Sequence, residues 1–443
     1  MATRYRRYDP DQALLLPPSL QDWLPEDHLA YFVSDTIDQL DLRAFYEIYD
    51  GDGRRNQPYE PAMLLKVLIY AYATGTFSSR KIARRLHEDV ALRVLAAGNF
   101  PKHRTIARFR CQHLEDFQDV FVQVVRIAKA AGLVSLGTVA VDGTKIKANA
   151  SKHKAMSYGY MLKEEKRLRK EIRDLTRRAS KADAKEDDLY GAEYDEEQIP
   201  EELRRRESRL AVIREAKKRL EERQAEEDRK TGREPGDDDR RSRGGPGRPF
   251  KRKFGEVPEK KQENFTDPDS RIMKTSKGYE QSYNAQAAVD AESHMIVAAD
   301  VSNNASDAGQ LEPMLERAET TADTKCRRAL ADAGYASEST LEALERRGID
   351  AYVSIGREGK ERGREVAADK PATRRMAKKL STQRGKARYA QRKGLAESPF
   401  GWVKMVMGFR QFSVRGIEKI KGEWQLVCAA LDLRRLSTQM QWA

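Results

Sequence analysis

Two short apolar runs, each ending in an aspartate with a glycine close behind, constrain the fold more than any other feature. Thr138-Val-Ala-Val-Asp142 is followed by Gly143, and Arg327-Arg-Ala-Leu-Ala-Asp332 by Ala333-Gly334. Such runs are too short for a buried helix and read as strands covered on both faces. A carboxyl at the end of such a strand points from the sheet edge, where α/β folds bind their ligands. Further strand signals fall at Tyr283 to Val289, His294 to Asp300 and Ile349 to Ser354, with helical stretches at 308–322 and 337–347. Two strands close together, then strand–helix alternation, predict a mixed α/β sheet.

The chain before 134 reads differently. Leu29, Phe32, Val33, Ile37 and Leu40 form one helical stripe after Pro25-Glu-Asp-His28. Pro61 opens a nearly all-apolar helix to Ala73, which must be buried, and Gly75 ends it. Ser78 or Ser79 can cap a helix over Arg80 to His87, and Thr105 another from Ile106 to about Ala131, stopped by Gly132. Short helices with basic outer faces and tight turns resemble a helix-turn-helix arrangement. On that reading Arg80, Lys81, Arg84, Arg108 and Arg110 face DNA; in a plain helical bundle they are only solvated.

A charged segment interrupts the sheet. Leu168, Ile172 and Leu175, then Leu203, Leu210, Ile213 and Leu220, give two narrow apolar seams in otherwise charged helices. They predict an antiparallel hairpin, followed by a loosely tethered Gly- and Arg-rich stretch at 232–249. The expected organisation is an all-helical N-terminal unit at 1–133, a sheet unit at 134–160 and 264–443, and an insertion at 161–263.

Charge narrows the partner. The 443 residues carry a net charge of +13, which favours a polyanion. Three scattered cysteines, Cys111, Cys326 and Cys428, and six isolated histidines argue against a disulfide scaffold or a zinc site. No apolar stretch approaches the roughly 18 residues that span a bilayer, so a cytoplasmic protein without membrane contact is expected.

Near the C-terminus Tyr389, Arg392, Glu397 and Lys404 stand as Tyr-x2-Arg-x4-Glu-x6-Lys. Together with Asp142 and Asp332, Glu397 makes an all-oxygen donor set suited to a pair of hard divalent cations, Mg²⁺ or Mn²⁺. Two such ions about 3.5–4 Å apart stabilise both the attacking and leaving oxygens of a phosphoryl transfer. Arg, Lys and Tyr beside them suit a scissile phosphate. Pro399 disfavours helical backbone at Ser398, so Ser398-Pro399 reads as the start of a new helix.

These residues resemble those of bacterial insertion-sequence transposases of the DDE type that carry a Tyr-Arg-Glu-Lys signature. The likeness extends through Leu16-Pro-Pro18, Asn56-Gln-Pro-Tyr-Glu-Pro-Ala-Met-Leu-Leu65, Tyr72-Ala-Thr-Gly-Thr-Phe-Ser-Ser-Arg80 and Val141-Asp-Gly-Thr-Lys-Ile-Lys-Ala-Asn-Ala-Ser151. It continues in Asn264-Phe-Thr-Asp-Pro-Asp-Ser-Arg271, Tyr283-Asn-Ala-Gln286, Gly408-Phe-Arg-Gln-Phe412 and Arg415-Gly416. The resemblance implies a ribonuclease-H-like sheet in which Asp142, Asp332 and Glu397 hold two metal ions. It also implies that Tyr389, Arg392 and Lys404 contact double-stranded DNA at the element end, with a homodimer on DNA. The commoner signature has three residues between Arg and Glu, and here there are four. The extra residue turns Arg392 by about 100° relative to Glu397 on a regular helix and puts Lys393 in its place. A metal-dependent nuclease, a domesticated DNA-binding protein and a coiled-coil interaction protein remain alternatives to a transposase that joins element ends to target DNA. The three acids weigh against the last two.

Overall fold

The computed structural model describes residues 19–49, 58–190, 201–236, 252–275, 278–356 and 370–441. The motif residues 16–18, 56 and 57 and most of the stretch at 232–249 lie outside them.

Seven helices come first: α1 (Leu29–Asp38), α2 (Arg43–Glu47), α3 (Pro61–Ala73), α4 (Ser79–Glu88), α5 (Val90–Leu95), α6 (His103–Gln112) and α7 (Asp116–Ala130). Pro61 occupies the first turn of α3, where its missing N–H costs nothing. Residues Met63 to Leu65 and Val67 to Ala73 are all buried, as an apolar helix requires. Gly75 and Gly132 take left-handed φ angles of +79° and +75° where α3 and α7 end. The single helix expected from 106 to 131 is two, broken at His113-Leu114-Glu115. His113 is fully buried there, stacked on Phe45 with its Nδ1 2.6 Å from Asp116 Oδ2.

The strands are β1 (Val139–Lys147), β2 (Ala155–Ser157), β3 (Gln262–Asn264), β4 (Arg271–Thr275), β5 (Gly278–Asp290), β6 (Ile296–Ser302), β7 (Arg328–Ala331) and β8 (Asp350–Val353). The main sheet is mixed. Strand β5 runs antiparallel to β1, β4 and β6, while β1, β7 and β8 are parallel in that order. Strand β4 had no clear signal, since Arg271-Ile-Met-Lys-Thr275 buries only Met273.

The remaining helices are α8 (Tyr158–Tyr190), α9 (Glu201–Lys230), α10 (Leu311–Ala322), α11 (Glu338–Arg346), α12 (Pro371–Ser381), α13 (Gln383–Gly401) and α14 (Ile417–Gln441). One sheet face is covered by α10 and α14, the other by α13. Helix α14 also packs against α3 and α7, so one hydrophobic core runs from Ala30 to Leu436. The boundary expected at 133 therefore does not divide the core. The inserted α8–α9 hairpin is separate. It stands on the short β2–β3 ladder and has its own cluster of Met161, Leu168, Leu210, Ile213, Ala216, Leu220 and Val257.

Candidate active site at the sheet edge

Strands β1 and β7 pair in parallel with Val139 opposite Ala329, Ala140 opposite Leu330 and Val141 opposite Ala331. The next residues in this register are Asp142 and Asp332, so the two acids leave neighbouring strands side by side. Side chains alternate along a strand. Asp142 therefore shares a face with Ala140, and Asp332 with Leu330. Ala140 and Leu330 pack with Leu395 and Ala396 of α13. The two acids thus sit on the face that α13 covers.

Asp142 is largely buried, and its carboxylate accepts the Gly143 N–H at 2.8 Å. Burial pushes its pKa up to about 6; Gly143 and Arg392 pull it down, while Asp332 and Asp307 push it further up. Asp332 Oδ1 accepts the Gly334 N–H at 2.8 Å and caps a short 3-10 turn at Ala333–Tyr335.

Asp307 is the acid that no local motif revealed. Its carboxylate accepts from Asn284 Nδ2 at 2.6 Å and Gln286 Nε2 at 2.7 Å, and stands 3.5 Å from Lys145 Nζ. Gln286 also accepts from the buried Tyr335 hydroxyl. A methyl group on Gly143 would lie 2.3 Å from Gln286 Nε2 and 2.7 Å from Asp307 Oδ1; one on Gly334 would lie 3.3 Å from Asp307 Oδ2. The glycines beside the two strand-end acids thus both make room for this third carboxylate. Position 307 follows β6 in a loop, and its role depends on where that loop returns.

Helix α13 brings the C-terminal residues alongside. Arg392 is buried, with its guanidinium over the Tyr389 ring and Nη1 3.7 Å from Asp142 Oδ2. Lys404 Nζ donates to Thr144 Oγ1 and, at 3.0 Å, to the Lys145 carbonyl. Burial, then Lys145 nearby, lowers its pKa. Glu397 is exposed, and so is Lys393 one turn before it. The structure does not bring Glu397 to the two aspartates. Four residues further along a helix return to nearly the same face, so Ala396, not Glu397, shares the inward stripe of Arg392. Arg392 keeps its inward position and Lys393 falls on the Glu397 stripe. The new helix expected at Ser398-Pro399 does not form. Pro399 lies inside α13, and the chain passes into a π-helical turn at Trp402–Val406. Among the described residues, no three His, Cys, Asp or Glu side chains converge closely enough to hold a metal ion.

The donor chemistry nonetheless fits a hard cation. Asp142, Asp332 and Asp307 are all oxygen donors, and the buried Asn284 Oδ1 beside Gly143 has no partner. The neighbouring Asp332 and Asp307 charges raise the proton affinity of Asp142, and a divalent ion relieves that repulsion.

In the N-terminal helices Arg80, Lys81, Arg84 and Arg108 are exposed on α4 and α6, and Arg84 pairs loosely with Glu88 at 3.7 Å. Arg110 does not join them. It is buried, donating to the Tyr72 hydroxyl at 3.0 Å and the Phe77 carbonyl at 2.8 Å. It faces the core side of α6 beside Ile106 and Phe109, so a DNA-contact role is corrected to an internal one.

Two family models match this chain. Residues 256–433 match a transposase DDE domain, and residues 18–112 match a second transposase domain. The first span holds Asp307, Asp332, Arg392, Glu397 and Lys404, and the second holds α4. Strand β1 with Asp142 and the α8–α9 hairpin lie between the spans. No curated protein and no solved structure shows a significant match. The two domain matches support an insertion-sequence transposase, hence a DNA-binding protein. Among the described residues no helix is long and apolar enough to cross a membrane.

Proposed function

We propose that this chain is a DNA transposase that cleaves the ends of its own element and joins them to target DNA. The carrying observation is the placement of Asp142 and Asp332 side by side on adjacent parallel strands, with the Arg392 and Lys404 segment laid against them. The strand order supports a ribonuclease-H-like reading: an antiparallel set, β6–β5–β1, continued by two parallel strands, β7 and β8.

Asp142 and Asp332 would hold two Mg²⁺ or Mn²⁺ ions, and Glu397 completes the set when α13 adjusts on DNA. When bound, the ions polarise the phosphodiester and lower the pKa of the attacking water. Asp307, held by Asn284 and Gln286 in the space that Gly143 and Gly334 leave open, keeps a third carboxylate beside the two acids. Arg392 balances the charge of Asp142 until phosphate or metal replaces it, then turns to a non-bridging oxygen. Tyr389 holds the guanidinium in place, and Lys404 and Lys393 neutralise backbone phosphates. Water attacks the phosphorus at the element boundary and releases a 3′-hydroxyl. That hydroxyl oxygen then attacks a target phosphodiester, forming the new P–O bond as the bond to the target strand's own 3′-oxygen breaks and that oxygen leaves as a 3′-hydroxyl. Arg80, Lys81, Arg84 and Arg108 supply contacts to terminal-repeat duplex, and the pairing of two ends calls for a homodimer on DNA.

The test is incubation of the full chain with element-end DNA and Mg²⁺, followed for nicks and joined products. Asp142→Ala, Asp332→Ala and Glu397→Ala are expected to abolish both while leaving DNA affinity largely intact, because no phosphate contact is removed. Nicks without joined products would assign a nuclease. Metal-dependent cleavage surviving in Asp332→Ala would overturn the site.

A further inference from the structure

Beyond the acids, β1 continues towards the foot of the hairpin, and there the molecule has a cleft of about 530 Å³. Its walls are the end of β1, the 3-10 turn Lys152–Lys154, the start of β5 and the segment before α14. Lys147, Lys152, Lys154 and Arg415 line it against a single lining carboxylate, Glu280. Glu280 stands 3.5 Å from Lys147, leaving the other three cations uncompensated within the lining. The two other prominent cavities have the opposite character. Both lie among the N-terminal helices and carry a surplus of acids, one lined by Asp38, Asp41 and Glu47 against Arg43, the other by Asp38 and Glu60 against Lys66.

The cleft is a built feature. Arg415 Nε donates to the Asn149 carbonyl at 2.9 Å, and Asn149 Nδ2 donates to the Ser413 carbonyl at 2.8 Å. Gln411 Nε2 reaches the Ala148 carbonyl at 3.1 Å, and Asn264 Nδ2 reaches the Ser151 carbonyl at 2.8 Å. Ser151 caps the 3-10 turn that carries Lys152 and Lys154. Three segments distant in sequence are thus tied into one wall. Lys152 and Lys154 themselves remain exposed, as groups meant for a solvated polyanion must be.

We propose that this cleft is a second DNA-backbone site, holding the phosphates of duplex that continues past the acids towards the hairpin. The inference rests on the transposase reading and adds a path for the DNA that the reading does not contain. Its position gives a length. Lys147 lies five residues beyond Asp142 on the same strand, or about 17 Å at roughly 3.4 Å per residue. One strand of a duplex presents a phosphate about every 3.4 Å along the axis, so the cleft falls about five phosphates from the acids.

The experiment uses the full chain and a fluorescein-labelled mixed-sequence duplex, with affinity read by anisotropy across a series of KCl concentrations. The double variant Lys152→Ala, Lys154→Ala is compared with wild type, and with Arg80→Ala, Lys81→Ala, Arg84→Ala as a reference on α4. Melting by circular dichroism confirms that each variant is folded; both lysines are exposed outside the cores. Each lost phosphate contact lowers the slope of log K against log salt by about 0.9, so the double variant is expected to lose about 1.8. Hydroxyl-radical protection about five base pairs from the cleavage position on end DNA should fade in the same variant. If wild type binds duplex and the double variant keeps both its slope and its protection, the cleft is not a DNA site. If wild type binds no duplex at any salt, the transposase reading fails and the cleft proposal with it.

Discussion

The N-terminal helices and the α8–α9 hairpin are both helical and highly charged, yet they are held in opposite ways. The N-terminal helices give their apolar stripes to the common core, and a buried polar network ties them to the C-terminal helix. Arg110 on α6 reaches Tyr72 on α3, whose hydroxyl lies 3.3 Å from Glu423 Oε1 on α14; Glu423 Oε2 accepts the Ser413 N–H at 2.7 Å. Backbone meets backbone as well. Helix α14 passes so close to Leu114 that a methyl on Gly422 would lie 1.9 Å from the Leu114 carbonyl oxygen. The hairpin instead closes its apolar seam within itself and its own foot, with Met156, Val257 and Phe265, and its cations surround buried acids there. Glu165 accepts from Lys217 Nζ at 2.8 Å and Arg214 Nε at 3.2 Å, and Glu263 of β3 accepts from Arg219 and Arg223. Sequence charge alone does not decide whether a helical segment is a module. What decides is whether its apolar stripe is wide enough to be claimed by another element.

The contrast can be broken most sharply at Gly422. Gly422→Ala must push α14 off the α6–α7 junction, and a loss of about 4 kcal/mol or more is expected, read as collapse of the denaturant midpoint. A variant that melts like wild type would show that the weld is loose. Arg110→Ala removes a buried charged donor and is expected to cost about 3 kcal/mol in the same unfolding transition. Retained stability with weakened DNA binding would restore it to the DNA face. In the hairpin, Ile213→Ala should cost about 2–4 kcal/mol, but only in the hairpin's own melting, followed by amide exchange over 158–230. Spread of that loss to β1 and β7 would mean that the two cores are coupled.

The last test is one of sign. Burial pushes Asp432 on α14 from 3.8 up to about 8, against the Ile296 N–H it accepts and against Arg435. The native state then keeps a proton that the unfolded chain releases. The common core should lose stability as pH rises from about 4 to about 8, and Asp432→Asn should flatten that slope. Glu165 is the reverse case: burial raises its pKa, but Lys217 and Arg214 outweigh it and hold it near 2, below 4.5. The hairpin should lose stability as pH falls through that window, and Glu165→Gln should remove the loss. Unfolding followed separately by exchange in the two regions checks both signs. Parallel pH profiles would erase the distinction.

Much of this was legible because local pattern and tertiary role coincide. The run Val139-Ala-Val141 can only be a covered strand, so Asp142 had to leave its end; the same holds for Asp332 after Ala329-Leu-Ala331. The hairpin seam was legible because seven-residue spacing of leucines has few other uses. Three features were hidden because partners distant in sequence decide them. The break at Leu114 carries no glycine or proline, and it sits against Gly422 from the far end of the chain. Arg110 looks like its exposed neighbour Arg108 until α3 arrives with Tyr72. Asp307 sits in an Asn-, Ser- and Gly-containing loop with nothing to mark it except Gly143 and Gly334, whose lack of a side chain gives no hint in sequence of the carboxylate they admit. Continuation of α13 through Pro399 is a fourth case. A single proline disfavours the preceding helical residue, yet Leu395 and Ala396 pack against Ala140 and Leu330 of the sheet and Phe400 stacks on Trp424 of α14, and the mismatch is absorbed as the π-helical turn after Gly401.

The three-residue β2–β3 ladder at the base of the hairpin has a mechanical consequence. Helix α9 has 30 residues, so it is a stiff rod of about 45 Å at 1.5 Å per residue. A rod of that length on so small a pivot is a lever. A tilt of about 0.1 radian at the foot sweeps its far end through about 4–5 Å, the rise of nearly one helical turn. The cationic cleft adjoins that pivot through Asn264 and Ser151. A shift of a fraction of an ångström there, too small to disturb the acids, is magnified into a displacement that a second molecule at the tip would register.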